Sequence, residues 1–303
     1  NTDDLNKLSV LVQQQAVECR FASSDSWVIL SPIEQSIKQK IDTIGTPLKD
    51  WNINIYRGVL TGYNDAFIIS TEKRNEILAN CQTEDERTRT AELIRPILRG
   101  RDIKRYAYNW AGLYLIATFP SRHYDIEMYP AVKQYLLTFG IEKLEQTGKA
   151  YIVNGEKIKA RKKTNNKWFE IQDSISYWED FSKPKIVWGN LNLTPNYALV
   201  ENNSFINAPS SMIVPASKYL LAILNSKIAD FYIKLLGVTR NGGYFEYKPM
   251  FIEQLPIPQL KIENKELAQI ERLIDNNNYT EIEYIVYNLY GLTQDEINYI
   301  NSL

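Results

Sequence analysis

The strand-like apolar runs of this sequence are short, and turn-forming residues follow many of them. Runs of four or five residues rich in Ile, Val, Leu and Tyr suit β-strands. They lie at 53–56, 66–69, 113–117, 185–189, 197–200 and 211–214. We expect the first two to pair as a hairpin, because Gly58, Gly62 and Asn64 lie between them. Short strands interleaved with helical segments predict a mixed α+β fold.

Helical patterns alternate with these runs. Ser31, Pro32 and Glu34 have the spacing of a capping box, which predicts a helix at about 32–43. Further helices are expected at about 84–94, after Pro130, and over Tyr219–Leu236. Asn154 and Gly155 form the preferred pair for a two-residue hairpin turn, so we also predict a β-hairpin at 151–159 that leads into a basic loop.

The character of the chain changes near residue 260. The short strand-like runs end there, and an acidic segment with a helical pattern follows, with a second capping box at Thr293–Glu296. We therefore expect two lobes, at about 1–145 and 146–260, that form one recognition unit. A helical tail at 261–303 completes the predicted organisation.

Length and composition limit the class of protein. The 303 residues are 44% hydrophobic, enough for a substantial core, but no apolar run approaches the roughly 20 residues of a membrane span. The sequence starts at Asn1 without an initiator Met, so we expect a piece of a longer soluble polypeptide. Cys19 and Cys81 are far apart and lack metal-ligand spacing, which favours a reducing, cytoplasmic setting.

The net charge of −1 hides strong local asymmetry. Arg95–Arg105 has five basic residues against one acidic residue, and Lys149–Lys167 has seven against one. Lys261–Leu303 has three basic residues against eight acidic ones. A cationic face balanced by an anionic appendage is the expected picture, and such a face suits a polyanion.

Several segments form a recognisable series. One contains the letters RGVLTGYNDAF from Arg57, and another contains LRGRDIKRY from Leu98. The series comprises Tyr56–Phe67, Ile94–Tyr106, Trp168–Val187, Leu224–Pro258 and Ile285–Leu292. In order and spacing it resembles the TaqI-like C-terminal specificity domain of type IIG restriction-modification enzymes, which join an adenine methyltransferase to an endonuclease. The basic insert at 149–167 corresponds to none of these motifs, so the resemblance implies no role for it.

The resemblance implies a target-recognition domain that binds double-stranded DNA. It would direct adenine-N6 methylation and cleavage by methyltransferase and nuclease domains outside this chain. Those domains would use S-adenosylmethionine and magnesium, whereas this piece is expected to bind no cofactor, metal or membrane.

Two groups of residues are candidates for DNA contact. Those in the family-like segments are Arg57, Asn64, Arg99, Arg101, Lys104, Arg105, Asn241 and Tyr244. Those in the basic insert are Lys157, Lys159, Arg161, Lys162, Lys163, Asn165 and Asn166. We expect five of the first group to position the duplex through phosphates, namely Arg57, Asn64, Arg99, Arg101 and Lys104. The insert should read bases, because a two-stranded ribbon fits the major groove and Arg and Asn pair with guanine and adenine.

Each motif also has a purely structural interpretation. The glycines near Asn64 serve a turn equally well, and the Arg95–Arg105 cations could be a solvated face with internal ion pairs. The basic insert could be a disordered surface loop, and Asn241–Tyr244 could be a plain helix stop.

The sequence contains no catalytic motif. No Pro-Pro pair occurs, although amino-methyltransferases need one in the loop that grips the target base, and no Gly-rich cofactor turn follows a strand. Asp/Glu-x-Lys triplets occur at 102–104, 246–248 and 263–265, but a few are expected by chance. Two alternatives to DNA recognition stay open. They are a metal-dependent endonuclease fragment and a protein-interaction module that uses the acidic tail and the apolar helix.

Overall fold

A computed structural model describes residues 30–237, 239–260 and 265–303. Helices and short strands are interspersed up to Ile257, and three helices follow, so the predicted mixed α+β fold is confirmed. The predicted helix at 32–43 is confirmed as Pro32–Ile44, with the Ser31–Glu34 capping box in place.

The elements fall into three consecutive stretches. The first contains α1 (Pro32–Ile44), β1 (Thr46–Pro47), β2 (Asn54–Arg57), α2 (Asn64–Phe67), β3 (Ile68–Ser70), α3 (Thr71–Ala79), α4 (Glu84–Leu93), β4 (Ile94–Leu98), β5 (Ile103–Lys104), β6 (Ala107–Tyr108), β7 (Leu113–Ile116), α5 (Pro130–Leu137) and α6 (Ile141–Leu144). The second contains β8 (Ala150–Val153), β9 (Glu156–Lys159), β10 (Lys185–Trp188), β11 (Leu191–Asn192), β12 (Tyr197–Val200), β13 (Phe205–Ile206), β14 (Ser211–Val214), α7 (Lys218–Leu224), α8 (Lys227–Leu236), β15 (Phe245–Glu246), α9 (Pro249–Ile252) and β16 (Pro256–Ile257). The tail contains α10 (Lys265–Asp275), α11 (Tyr279–Leu289) and α12 (Gln294–Ser302).

Two four-stranded sheets organise the described residues. One has the strand order β12-β10-β14-β2 and is antiparallel throughout. The other has the order β13-β4-β7-β3, in which only the β13–β4 pair is parallel. Two-stranded ribbons, among them β5–β6 and β8–β9, extend from this frame.

Strand β10 separates two hydrophobic cores. Ile186 and Trp188 lie in the first core, and Val187 lies in the second. Successive side chains of a strand point to opposite faces, so both faces of this sheet are covered. That is why the sequence shows a continuous apolar run here and no polar alternation.

The second core takes side chains from both sides of residue 145, among them Leu98, Leu144 and Met212. The lobes expected at about 1–145 and 146–260 stay a prediction, and residues 1–29 lie outside the described part.

The tail packs against the body of the domain. Ile270, Val286 and Ile300 are buried in the first core. The carboxylate of Glu296 accepts hydrogen bonds from Ser36 Oγ (2.7 Å) and Lys40 Nζ (2.6 Å) on α1, and it also completes the predicted capping box of α12. Although the tail is acidic, its inner face belongs to the same core as α1, α7 and α8.

Two sequence predictions about elements are wrong. The segments at 53–56 and 66–69 do not form a hairpin, because β2 pairs with β14 and β3 pairs with β7. Residues Asn64–Phe67 are helical, so the turn signals between the two runs start a helix instead. The helix expected over Tyr219–Leu236 is two helices, because Ser226 caps a new helix immediately after Asn225 ends the first.

Candidate nucleic-acid interface

Arg99 is bound to a neighbour in its own segment. A short 3-10 helix at Gly100–Asp102 brings the Asp102 carboxylate back to Arg99, whose main-chain N, Nε and Nη2 donate to it at 2.9, 3.0 and 2.8 Å. Burial opposes ionisation of Asp102, but the hydrogen bonds and charge of Arg99 outweigh it and keep the pKa of that carboxyl below its ordinary value. Arg99 therefore fixes the turn, and only part of its side chain faces solvent.

Arg105 connects the β5–β6 hairpin to the tail. Its Nε and Nη2 donate to the Asn225 carbonyl at 3.2 and 3.0 Å, and Nη2 also pairs with Glu283 on α11 at 2.6 Å. Burial raises the pKa of Glu283, although hydrogen bonds and charges from Lys227 and Arg105 oppose the rise. Beside this pair, Tyr106 stacks on Tyr279 with ring centroids 4.1 Å apart.

Arg101 and Lys104 differ from Arg99 and Arg105. Both are exposed, and neither has an ion-pair or hydrogen-bond partner among the described residues. The LRGRDIKRY segment thus contains two cations that hold the protein together and two that remain available to a ligand.

The first family-like segment places its candidates at the surface. Arg57 pairs with both oxygens of Asp173, at 3.0 and 3.2 Å, while 56% of its side chain stays exposed. The exposed Asn64 accepts from Thr61 Oγ1 through its Oδ1 atom at 2.7 Å. Its amide nitrogen has no partner in the described part of the chain, so it can still donate.

Arg161 does not fit its predicted role as a base reader. It is 5% exposed, and its guanidinium donates to main-chain carbonyls of four residues. Those acceptors are Leu144 (2.7 Å), Thr61 (3.1 Å), Glu170 (2.8 Å) and Trp168 (2.7 Å). Burial lowers the pKa of Arg161 to about 10, and the charge of Glu170 opposes the fall, so the side chain remains protonated at neutral pH. The guanidinium ties the end of α6, the loop after β9 and the first family-like segment together.

The predicted hairpin is confirmed as β8–β9, with Asn154 and Gly155 both at positive φ (50° and 85°) in its turn. In an antiparallel pair, directly opposed residues share a face. Ala150 opposes Lys159 and Ile152 opposes Lys157, and all four are exposed. Ile152 is 81% exposed, so this face of the ribbon stands free of the protein body.

The loop after the hairpin continues the exposed surface. Lys162, Lys163 and Asn165 are exposed and have no side-chain partner among the described residues. Asn166 is different, because its amide nitrogen donates to the carbonyls of Ile171 (3.2 Å) and Gln172 (2.9 Å). The loop is anchored at Asn166 and open at Asn165.

Asn241 and Tyr244 lie on a separate turn. Gly242 and Gly243 adopt positive φ, and the main-chain N of Arg240 donates to the Tyr244 carbonyl at 2.6 Å, which closes the turn. Asn241 and Tyr244 are both exposed, as the prediction requires.

Two of the three Asp/Glu-x-Lys triplets have their carboxylates bound to cations. Asp102 is held by Arg99, and Glu246 pairs with Arg240 (3.1 Å) and Lys248 (2.6 Å). The third begins at Glu263, outside the described residues. Within the described ranges, no group of three or more His, Cys, Asp or Glu side chains is placed to hold a metal ion. No helix in those ranges is long and apolar enough to cross a membrane.

The described residues form a mixed α+β domain in which exposed cations without an ion-pair partner lie at the β5–β6 and β8–β9 ribbons. The model of the TaqI-like C-terminal specificity domain matches residues 95–257, more than half of the chain. The chain belongs to that family, as the resemblance indicated.

Known proteins extend the comparison. Type II methyltransferase M.XhoI of Xanthomonas vasicola is 21% identical over 285 residues, which is 90% of this chain and 46% of that protein. The solved structure of the type IIG restriction endonuclease BpuSI is 12% identical, with a TM-score of 0.55 over 90% of this chain and 32% of that one. The type IIL restriction-modification enzyme MmeI, solved in complex with DNA, is 12% identical, with a TM-score of 0.53 over 87% and 38%. The chain spans less than half the length of each, and the two structures support the fold alone.

Sequence reasoning did not find the partners that hold the candidates in place. Asp173 and Glu283 lie 116 and 178 positions from the arginines they bind. No local pattern marks such pairs, because they form only when the β2 and α11 regions are packed.

Proposed function

We propose that this chain recognises the sequence of double-stranded DNA as the specificity domain of a type IIG restriction-modification enzyme. It would direct adenine-N6 methylation and cleavage by domains outside the chain, which would supply the S-adenosylmethionine and magnesium chemistry. Host DNA is the substrate in this scheme, so we place the protein in the cytoplasm.

The observation that carries the proposal is the free face of the β8–β9 ribbon. A two-stranded ribbon has the width of the major groove. Lys157 and Lys159 share the exposed face, and the exposed Lys162, Lys163 and Asn165 follow directly in sequence. Lysine side chains can donate to guanine and an asparagine amide can pair with adenine at the base edges of this groove.

The roles within the interface follow from which side chains are unpaired. Arg101 and Lys104 are assigned to phosphates, together with Arg57 at the end of the edge strand β2 and Asn64 at the start of α2. Base reading is assigned to Asn165 and to the lysines of the ribbon, because Arg161 is committed to carbonyls inside the protein.

The test is selection from a pool of random DNA duplexes at low salt. The chain should enrich one sequence motif. Asn165→Ala or Lys157→Ala should relax one position of it, with discrimination there falling by about 1–3 kcal/mol. Arg101→Ala should weaken binding to all sequences evenly and leave the motif intact.

A chain that binds duplexes without enriching any sequence would contradict the reading role. A chain that binds no duplex at low salt would contradict the whole proposal. Lys133→Ala is the matched control, because this lysine is already paired with Glu127 on another part of the surface.

A further inference from the structure

Three arginines line one open cleft, and none of the residues predicted from the sequence to contact DNA lies in its wall. Arg74 comes from α3, Arg87 from α4 and Arg95 from β4, and Tyr114 of β7 forms part of the wall. The cleft is largely open to solvent.

Among the described residues, none of these three side chains has a hydrogen-bond acceptor or an ion-pair partner. The guanidinium of Arg74 lies over the Tyr114 ring, 4.8 Å from its centroid, but it donates no hydrogen bond to a described residue. Arg87 and Arg95 have neither an ion pair nor a side-chain hydrogen bond within the described ranges. By contrast, Arg99 and Arg161 are fully engaged with internal acceptors.

Two carboxylates also line the cleft. Glu84 and Glu92 both lie on α4, yet neither forms an ion pair within 4.0 Å of any of the three arginines. Three guanidinium groups against two carboxylates leave the cleft with a positive balance. The guanidinium geometry matches phosphate oxygens, which accept two parallel hydrogen bonds.

We propose that this cleft is an anchor for a phosphate of the DNA backbone, outside the ribbon that reads bases. The inference rests on the proposed DNA-binding function. Arg95 precedes Arg101 by six residues in the same segment, so their Cα atoms are at most about 22 Å apart. A duplex presents a phosphate charge about every 1.7 Å of axis, so one duplex can contact both. An open cleft suits a passing polymer, whereas sites for small ligands enclose most of their ligand.

The experiment measures duplex binding by the chain over a series of salt concentrations. Each lost phosphate contact should reduce the slope of log K against log salt by roughly 0.9. Arg87→Ala and Arg95→Ala should each weaken binding, flatten this slope and leave the enriched sequence unchanged. Arg87→Glu should weaken binding further. Arg272→Ala is the matched control, because Arg272 is an exposed arginine on the acidic tail with no described partner.

Slopes equal to wild type in both alanine variants, with unchanged thermal stability, would overturn the anchor. A second arm titrates inorganic phosphate and ATP at constant ionic strength and follows the melting temperature. Stabilisation of wild type but not of Arg95→Ala, without any change in the DNA slope, would mean that the cleft takes a free phosphate compound, and it would also overturn the anchor. Failure of the proposed function looks different, because wild type itself would then bind no duplex.

Discussion

The β5–β6 and β8–β9 ribbons both carry cations on the surface, but they are held in different ways. The β5–β6 ribbon depends on distant side chains, since Arg105 pairs with Glu283 on the tail and Tyr106 stacks on Tyr279. The base of the β8–β9 ribbon is held by hydrogen bonds from Arg161 to main-chain carbonyls. Buried or paired arginines form the frame in both cases, and exposed neighbours remain for a ligand. The number of basic residues in a segment does not distinguish arginines that hold the fold from cations that remain available to a ligand.

The turns of the two ribbons also differ in the residue that adopts a positive φ and in the contacts that hold it. At the β8–β9 turn a glycine, Gly155, takes the positive φ of 85°, which costs glycine little. At the β5–β6 turn a tyrosine, Tyr106, takes a φ of 62°, where a Cβ atom is unfavourable. Tyr106 stacks on Tyr279 of the tail, and its main-chain N donates to the Tyr197 carbonyl at 2.8 Å. This turn is therefore held by contacts from outside the ribbon, one of which comes from the tail.

The largest effect is expected from Arg161→Ala. The change removes a buried side chain and one donor from each of four carbonyls. The carbonyls of Thr61 and Glu170 keep a second donor, in Gln172 N and Gln146 Nε2. We expect the free energy of unfolding to fall by about 3–5 kcal/mol, measured by urea denaturation. The neighbouring exposed Lys162→Ala is the control and should change it by less than about 0.5 kcal/mol. Equal effects of the two changes would show that Arg161 is not part of the frame.

A smaller effect is expected from Arg105→Ala, which leaves the buried Glu283 carboxylate without its arginine. The free energy of unfolding should fall by about 1–2 kcal/mol, because the Arg105 side chain is partly exposed. Arg101→Ala should leave unfolding unchanged and weaken duplex binding instead. If Arg101→Ala destabilised the fold and Arg105→Ala did not, the division into frame and ligand cations in this segment would be reversed.

Acid should loosen the tail that supports the β5–β6 ribbon. Although burial opposes ionisation, hydrogen bonds from Lys40, Thr293 and Ser36 lower the pKa of Glu296 to about 2. A lowered carboxyl pKa stabilises the fold above its unfolded value, near 4.5, and this contribution disappears as the pH falls towards 2. Glu296→Gln should cost roughly 1 kcal/mol at neutral pH, since it removes the charge but keeps hydrogen-bonding capacity.

The measurement for Glu296 is the melting temperature from pH 7 down to pH 2. The difference between wild type and Glu296→Gln should be constant above about pH 5 and should shrink below it. Gln294→Ala, two residues away, exposed and without an ionisable side chain, should show no such convergence. A constant difference at all pH values would mean that the charge of Glu296 does not hold the tail.

The elements with local signals were predictable from the sequence. The capping boxes at Ser31–Glu34 and Thr293–Glu296 and the Asn154–Gly155 turn are each specified by a few adjacent residues, and all three are present. The pairing of β2 with β14 was not predictable, because it joins residues more than 150 positions apart. Turn residues between two strand-like runs are compatible both with a hairpin and with the start of a helix. Which of the two forms depends on whether the runs pair with each other or with distant strands.

The site was predictable as a set of segments but not as a set of free side chains. Arg161 and Lys162 are adjacent cations in the sequence, and only the packing of α6 against the loop buries one and exposes the other. In the sequence, Arg74 and Arg87 lie outside the densest basic runs, and Arg95 is the first residue of one. Local charge density therefore does not predict that the three arginines line one cleft.

The smallest effect is expected at the β8–β9 turn, where it separates local from global stability. Gly155 has no other atom near the position of an added Cβ, so Gly155→Ala meets only the backbone strain of its positive φ. We expect a local cost of about 1 kcal/mol. Amide exchange in Ala150–Lys159 should then quicken by several-fold, whereas the amides of β10 should exchange as in wild type. Glu156→Ala, beside the turn but at ordinary φ, is the control and should leave both regions unchanged. If exchange in β10 also quickened, the ribbon would share the cooperative unit of the central sheet, and its difference from the tail-dependent β5–β6 ribbon would disappear.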